Sequence, residues 1–449
     1  MKFKYLLLLA LVGFTACKIP VLISKQEDKT VPAYYNAAQD STNIASLKWR
    51  QYFTDPYLIA IIDSALKNNQ ELNIAVREIE IDKNEIQARK GEYLPFVSVG
   101  GVAAFEKTGR YTFDGISEED LNANPEKGPK HIGDFRAGVY ASWELDIWKK
   151  LRNAKKSAVI KYFSTIEGRN FIVTNMIAEI SSAYYELLAL DNMMSIVQQN
   201  IELQKNALQM VKLEKEAAKV SQLAVNRFNA QLLHTQNLQY DIQQQIVETE
   251  NKINFLAGRF NQHIARTSTS LNDIPVEMVQ SGIPTQLLLN RPDIRQAELA
   301  LAASKLDVQV ARANFYPSFR LSAGSGFTAF NPSFVFRPES LLYSFAGDAI
   351  GPLINKNGIK AAYKNANEKQ MISAYQYERT ILSAFIEVVN HLSLINNYKN
   401  SYETKSKEVE ILNQSVDISN KLFISTKADY IEVLLTQREA LDSRIELIE

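Results

Sequence analysis

Residues 135–145 have the sequence FRAGVYASWEL, in which apolar and polar positions alternate. The odd positions, from Phe135 to Leu145, are apolar, while the even positions begin with Arg136 and end with Glu144. Alternation over about ten residues is typical of a membrane β-strand with one face toward lipid and one toward a wet lumen. The stretch predicts such a strand; the competing interpretation is one strand of a soluble β-sandwich.

Three more strands are predicted, near 96–105, 318–330 and 340–351. Known single-chain barrels need at least about eight strands, so several copies must contribute, and three copies would supply twelve. Trp143 and Trp148 suit an interfacial aromatic girdle. The charged residues of the strands are expected to face the lumen, with solvent-exposed strand charge as the alternative: Arg136, Glu144, Arg320 and Asp348.

Long helices flank the strands. Residues 150–217 contain no proline, and apolar residues recur every seven positions from Ile180 through Leu187 to Leu208, which indicates coiled-coil packing. The same spacing recurs from Val388 through Ile395, Tyr402 and beyond. A helix of this length spans roughly 100 Å at about 1.5 Å per residue.

The chain contains an internal repeat, since Tyr93-Leu94-Pro95 has a similar counterpart in Phe315-Tyr316-Pro317. The first repeat is predicted over 47–258, with long helices over 150–217 and 222–258, and a connector follows over 259–285. The second repeat is predicted over 286–449, with helices over 291–315, 356–425 and 429–449. Its last helix is shorter than the repeat demands, so a fragment or a clipped end is expected.

The first residues resemble a bacterial lipoprotein signal. Lys2 and Lys4 precede a short apolar run, and small residues precede Cys17, the single cysteine of the chain. We predict a signal peptide over 1–16, a lipid attached to Cys17 and a lipidated tether over 17–46. An incidental thiol is the alternative.

Composition and motifs exclude several classes of function. Lys plus Arg equals Asp plus Glu, both 50, so no global charge favours nucleic acid as a partner. None of the four histidines has neighbours at metal-ligand spacing, and no nucleophile motif occurs. We expect neither an enzyme nor a cofactor other than the lipid on Cys17.

Three motifs resemble TolC-like outer-membrane factors of the lipoprotein (NodT/OprM) branch. They are WRQYFTDP at 49–56, WELDIW at 143–148 and RPDIRQAE at 291–298, the last followed by Tyr316-Pro317. The resemblance covers nearly the whole mature chain. It implies a mainly α protein with a membrane β-barrel portion, in which three chains form a twelve-stranded barrel and a long helical barrel in the periplasm.

The resemblance also implies a role. Family members are outer-membrane ducts of tripartite efflux systems that export drugs, metals or other small toxic solutes. They act as homotrimers with a periplasmic adaptor and an inner-membrane pump, here expected to be of the RND class. A duct for type I protein secretion and a non-channel coiled-coil lipoprotein remain alternatives.

Two turns and the helix after the second turn match the family's functional positions. Adaptor-contact tips are expected at Ala218, Lys219, Val220, Ser221, Thr426 and Lys427. The family usually has glycine where Ala218 and Thr426 stand. The periplasmic aperture is expected at Ile431, Glu432 and Leu435, through an apolar constriction and an anionic ring; for Ile431 the alternative is a coiled-coil core position.

Overall fold

The structure, a computed structural model, describes residues 19–23, 25–35, 47–107, 132–267, 282–425 and 427–449. The predicted signal peptide, Cys17, Thr426 and about half each of the predicted tether and the predicted connector lie outside the described residues. Over the described ranges the chain is mainly helical, with one antiparallel sheet, as the sequence predicts.

The helices begin and end close to the predicted positions. The chain contains α1 (Trp49–Tyr52), α2 (Pro56–Asn68), α3 (Gln70–Tyr93), α4 (Lys150–Glu216), α5 (Gln222–Leu256), α6 (Leu287–Asn290), α7 (Pro292–Ala313), α8 (Asn357–Ile424) and α9 (Tyr430–Ile448). Asp55 caps α2, because its side chain accepts a hydrogen bond from the amide of Tyr57 at 2.8 Å. None of the described helices is long and apolar enough to cross a membrane.

The strands lie within a residue or two of the predicted ranges, except that β2 starts earlier. They are β1 (Phe96–Glu106), β2 (Ile132–Leu145), β3 (Ser318–Ala329) and β4 (Leu341–Ile350). All neighbours are antiparallel and the order is β1-β2-β3-β4. The pair in the centre, β2 and β3, joins the two sequence repeats, with Ala141 opposite Ala323.

The described residues form two compact units, and neither unit coincides with a sequence repeat. The first contains the sheet together with residues up to 28, 78–166 and 296–378. The second contains residues from 29 to 77, 167–295 and 379–449. Each unit therefore takes residues from both repeats.

The core of the second unit confirms the heptad prediction for α4. Three predicted core residues, Ile180, Ala183 and Leu187, are buried in one cluster with residues of α2, α3 and α5. The others are buried in a second cluster with residues of α5 and α9: Leu190, Val197, Ile201, Leu208 and Val211. Gln204 occupies one of these positions, and both polar atoms of its amide are without a hydrogen-bond partner among the described residues.

Part of the heptad stripe of α8 is exposed in the single chain. Ile395 and Tyr402, which the sequence places at core positions, are 45% and 50% exposed. Toward the C-terminal end of α8, contacts with α9 include the hydrogen bond that Ser443 Oγ donates to Glu408 at 2.5 Å. The core role of Ile395 and Tyr402 stays a prediction.

Candidate functional site

All charged residues of the four strands lie on one face of the sheet. The strand register places Glu144 opposite Arg320, and Arg320 opposite Asp348, in one row. Arg136 lies on the same face opposite Thr328. The six charged strand residues of this polar face are Glu106, Asp134, Arg136, Glu144, Arg320 and Asp348. The structure thus brings three of the four predicted residues together and places Arg136 toward the other end.

Three charged residues that the sequence reasoning missed belong to or border this polar face, namely Glu106, Asp134 and Lys150. Asp134 pairs with Arg136 at 2.7 Å, and Lys150 forms an ion pair with Glu144. Asp134 precedes Arg136 by two positions, so the alternation itself could have identified it. Lys150 belongs to α4 rather than to a strand, and no local pattern links it to Glu144. The arginines are consequently paired or flanked by carboxylates, and together with Lys150 the polar face carries three cations and four carboxylates.

The opposite face of the sheet is apolar and exposed. Val99 and Tyr343 are both 84% exposed, and Phe345 is 76% exposed. In water such a contiguous apolar surface would be unfavourable at about 25 cal/mol per Å². The face is therefore suited to contact with lipid or with another apolar surface.

Glycines allow the strands to approach closely on the polar face. Gly138 lies directly opposite Gly326, and a Cβ on Gly326 would be 2.3 Å from the carbonyl oxygen of Ala137. Two residues further along each strand, the ring of Tyr140 covers Gly324, and a Cβ added to Gly324 would be 3.2 Å from that ring. Aromatic cover of strand glycines is a known means of fixing register in curved sheets.

The WELDIW motif builds the junction between β2 and α4. Asp146 accepts hydrogen bonds from the amides of Leu151 and Arg152, at 2.9 and 3.0 Å, and so caps α4. Burial alone would raise the pKa of Asp146, but the N–H donors of Arg152 and Leu151 outweigh it and lower the pKa. Trp148 donates to the carbonyl of Pro317 at 2.7 Å and stacks on Tyr316. Asp146 of the motif thus caps the helix and Trp148 joins it to the residues before β3, while the girdle role of Trp148 stays a prediction.

The RPD motif clamps the start of α7 within the second unit. Arg291 binds both carboxylate oxygens of Asp293, at 3.0 and 2.9 Å, and also Glu387 of α8 at 2.9 Å. Burial lowers the pKa of Arg291, but the hydrogen bonds and charges of Asp293 and Glu387 outweigh it, so the pKa is raised. The sequence indicated a helix start here; the contact with Glu387 came from the tertiary structure.

The first predicted tip is a Schellman turn with alanine in the glycine position. Ala218 has a φ of 53°, in the left-handed region. Lys219 donates its amide to the carbonyl of Glu214, and Ala218 donates to that of Lys215, both at 2.9 Å. Val220 packs against the helical core, while Lys219 and Ser221 are exposed. At the second tip Lys427 is exposed and donates to the carbonyl of Leu422.

The predicted aperture residues lie at the start of α9. Val433 is the buried core residue of this turn, at 2% exposed. Ile431 is half-buried, whereas Glu432 and Leu435 are exposed. Ile431 and Leu435 are one helical turn apart and share a face. The arrangement leaves Ile431 available for a contact outside the chain.

Residues 19–23 and 25–28 lack regular secondary structure and pack against other residues of the first unit. Ile19 and Leu22 pack against the cluster formed by Ala311, Phe315 and Tyr363. Further hydrogen bonds and ion pairs hold the segment: Asn367 to the Ile23 carbonyl at 2.9 Å, Gln370 to the Lys25 carbonyl at 3.0 Å, Lys25 to Glu378 at 2.6 Å and Lys305 to Glu27 at 2.7 Å. The part of the predicted tether that is described is thus fixed rather than free.

No set of three His, Cys, Asp or Glu side chains within the described ranges is arranged to hold a metal ion. His263 contacts Glu250 at 3.1 Å, next to Arg266, which binds Glu250 and Asp191 and fixes the start of the connector.

Comparison with known proteins gives consistent matches over the whole length. The family model described as outer membrane efflux protein matches residues 61–259 and 283–449. The chain is 25% identical to the solvent efflux pump outer membrane protein SrpC of Pseudomonas putida, covering 100% of this chain and 94% of SrpC. It is 24% identical to the probable outer membrane lipoprotein SilC of Salmonella typhimurium, covering 94% and 86%. The open-state MtrE outer membrane channel of Neisseria gonorrhoeae has a TM-score of 0.83 at 21% identity, covering 96% and 94%.

Proposed function

The chain belongs to the outer membrane efflux protein family, and from this premise we propose how it forms its channel and what it works with. It is an outer-membrane channel component of an efflux system. The finer statements that follow, on oligomeric state, partners, substrate and site residues, are proposals drawn from the geometry described above.

The main support for the proposal is that charged and apolar side chains lie on opposite faces of the sheet. A sheet with every strand charge on one face and exposed apolar side chains on the other fits a wall between lipid and water. Within the described residues β1 and β4 each pair on one side only. Unpaired strand edges are unfavourable in a bilayer, because no water satisfies their N–H and C=O groups.

Closure therefore requires other copies of the chain. We propose a homotrimer in which β1 of one copy pairs with β4 of the next, giving a barrel of twelve strands. The lumen is then lined by Arg136, Glu144, Arg320 and Asp348.

The turns between α4 and α5 and between α8 and α9 are the proposed contact sites for a partner protein. Exposed Lys219, Ser221 and Lys427 would contact a periplasmic adaptor, which links the duct to an inner-membrane pump, proposed to be of the RND class. Ile431 from three copies would form an apolar constriction, with Glu432 as an anionic ring beside it. The duct itself is proposed to be passive and without catalytic activity.

A lipid on Cys17 is the proposed anchor. Cys17 precedes Ile19 by two residues, and Ile19 packs beside Phe315, close in sequence to the start of β3. The docked segment would thus hold the lipid near the end of the sheet from which the helices extend. Small toxic solutes are the proposed cargo, a class to which solvents, named for SrpC, also belong.

Three measurements test the proposal. The purified protein, reconstituted in planar bilayers, should show single-channel conductance, and its mass in detergent should equal three chains. A strain lacking the gene should become sensitive to drugs, metals or solvents. Loss of a secreted protein with unchanged tolerance would favour the secretion alternative, and absence of any conductance would contradict the channel.

A further inference from the structure

The loop end of the sheet carries a group of phenylalanines on its apolar side. Phe105, Phe135 and Phe327 are odd-numbered strand residues of the apolar face, and the rings of Phe105 and Phe135 lie 5.4 Å apart. Phe336 belongs to the loop between β3 and β4, and its ring lies 5.8 Å from that of Phe327. Phe336 therefore lies on the same side of the sheet. We call Phe105, Phe135, Phe327 and Phe336 the phenylalanine cluster.

Near the start of β2, Gly133 leaves room for the ring of Phe135, a member of this cluster. A Cβ on Gly133 would be 2.5 Å from the ring of Phe135 and 2.4 Å from the carbonyl oxygen of Phe330. Any side chain at position 133 would displace that ring or the loop. The glycine thus allows the ring of Phe135 and the loop backbone to occupy this space together.

The loop that presents Phe336 is internally braced. Asn331 accepts a hydrogen bond from the amide of Ser333 at 3.0 Å, and Ser340 donates one to the carbonyl of Phe334 at 2.7 Å. Val335 is 7% exposed, whereas the adjacent Phe336 is 79% exposed. The backbone thus fixes an apolar ring in an exposed position, a costly arrangement if the loop were surrounded by water.

Arg337 adds a cation beside the cluster. Its guanidinium carbon lies 4.5 Å from the ring centroid of Phe334. Among the described residues no carboxylate forms an ion pair with Arg337. Its N–H groups are suited to phosphate, which arginine binds in a bidentate manner.

The length of β3 fits within a bilayer. From Phe319 to Phe327 the strand extends roughly 26 Å at about 3.3 Å per residue, which is about 20 Å along the membrane normal at a tilt of about 40° and lies within the apolar band of about 25 Å on membrane sheets. The cluster therefore lies at one edge of the exposed apolar face that includes Val99 and Tyr343. Aromatic residues favour this edge, where the hydrocarbon meets the headgroups.

We propose that residues 330–340 lie on the outer leaflet of the membrane, with the phenylalanine cluster at the boundary between headgroups and acyl chains and Arg337 bound to lipid phosphate. The inference rests on the proposed function only in that the sheet must span the membrane. It adds that this loop is a lipid-binding surface, rather than a segment projecting into the medium or over the pore.

Spin labelling of the full-length protein in liposomes tests the inference. Phe336→Cys, Val99→Cys and Lys219→Cys each introduce one thiol, and the unaltered chain, labelled in parallel, gives the background from Cys17. Nitroxide collisions with oxygen, which concentrates in lipid, are compared with collisions with a water-soluble nickel complex. The labels at 99 and 336 should favour oxygen, with 336 at the shallower depth, and the label at 219 should favour nickel.

The outcomes separate the inference from the proposed function. If the label at position 336 is accessible to nickel like that at 219, while the label at 99 lies in lipid, the proposed lipid contact of the loop is disproved and the channel proposal stands. If 99 is also accessible to nickel, the sheet is not in the membrane and both proposals fail.

The phosphate contact has its own test. Adding Arg337→Gln to Phe336→Cys should raise nickel accessibility at 336 at least twofold in vesicles that contain phosphatidylglycerol. In vesicles made of a neutral glycolipid, without phosphate, the same substitution should have no effect. Equal accessibility with and without Arg337 in the phosphate-containing vesicles would overturn the assignment of Arg337.

Discussion

Arg291 and Glu387, which lie in different helices and are far apart in the sequence, form an ion pair of 2.9 Å between Nη2 and Oε2. The same guanidinium binds Asp293 at the start of α7. Both Arg291 and Asp293 are largely buried, with side chains 23% and 15% exposed. One arginine therefore fixes the helix start and attaches it to α8, which gives the RPD motif a structural role.

Replacing Arg291 should destabilise the second unit. Arg291→Ala removes charge-assisted hydrogen bonds worth about 1.5–3 kcal/mol each and leaves Asp293 partly buried without its cation. Arg291→Lys should recover only part of this, since lysine cannot bind two oxygens in the planar manner of arginine. Thermal unfolding followed by circular dichroism provides the measurement. Arg312→Ala is a matched control on the same helix, because Arg312 is exposed; an equal loss in both variants would contradict the assignment.

Glycine at position 218 should stabilise the first tip. Ala218 adopts a φ of 53°, a conformation that costs an alanine on the order of 1 kcal/mol relative to glycine. Ala218→Gly should therefore raise the midpoint of thermal unfolding. Ala217→Gly, one residue earlier, should lower it, because Ala217 still donates to the Leu213 carbonyl in the helical manner. A lower midpoint for Ala218→Gly would show that the left-handed turn is not the native one.

A methyl group at position 326 should prevent normal assembly of the sheet. The Cβ of Gly326→Ala would be 2.3 Å from the carbonyl oxygen of Ala137 and 2.6 Å from the Cα of Gly138, both backbone atoms that cannot rotate away. We expect at least a severalfold reduction of folded protein in outer-membrane fractions. Gly101→Ala is the control on the same sheet, since its nearest atom would be 3.5 Å away. Equal yields of the two variants would argue against the close approach of β2 and β3.

Asp146 should make the stability of the β2–α4 junction sensitive to acid. Its pKa in the folded state is lowered, so the stabilisation is present above the pKa of the unfolded state, about 3.9, and is lost as pH falls through the folded-state pKa. Asp146→Asn keeps the shape but removes the charge. The difference in unfolding midpoint between the two proteins should be large at pH 7 and shrink below about pH 4. A difference that stays constant down to pH 2 would mean that the charge of Asp146 is not what stabilises the cap.

Substitution of Ile431 is the most direct test of the proposed periplasmic aperture. If it forms an apolar constriction, Ile431→Ser should raise the conductance of the reconstituted channel, because water and ions enter a polar constriction more readily. Ile418→Ser is the control, as Ile418 is also an exposed apolar residue, on α8 rather than at the predicted aperture. Conductance unchanged by Ile431→Ser, or raised equally by Ile418→Ser, would remove Ile431 from the gate.

Local periodicity in the sequence was sufficient to predict most of the elements. Alternation from Phe135 to Leu145 indicated β2 and its two faces, and the heptads from Ile180 to Val211 indicated the buried stripe of α4. These signals are local, because neighbouring residues along a strand or helix determine which side chains share a face. The lipoprotein-type start and the family motifs likewise depend only on the order of residues.

Other features were decided only by the tertiary structure. The register that places Arg320 between Glu144 and Asp348, the pairing of Gly138 with Gly326 and the clamp from Arg291 to Glu387 each join residues from the two repeats or from separate helices. Such pairings are set by the summed packing and hydrogen-bond free energies of the whole chain, so no window of neighbouring residues contains them.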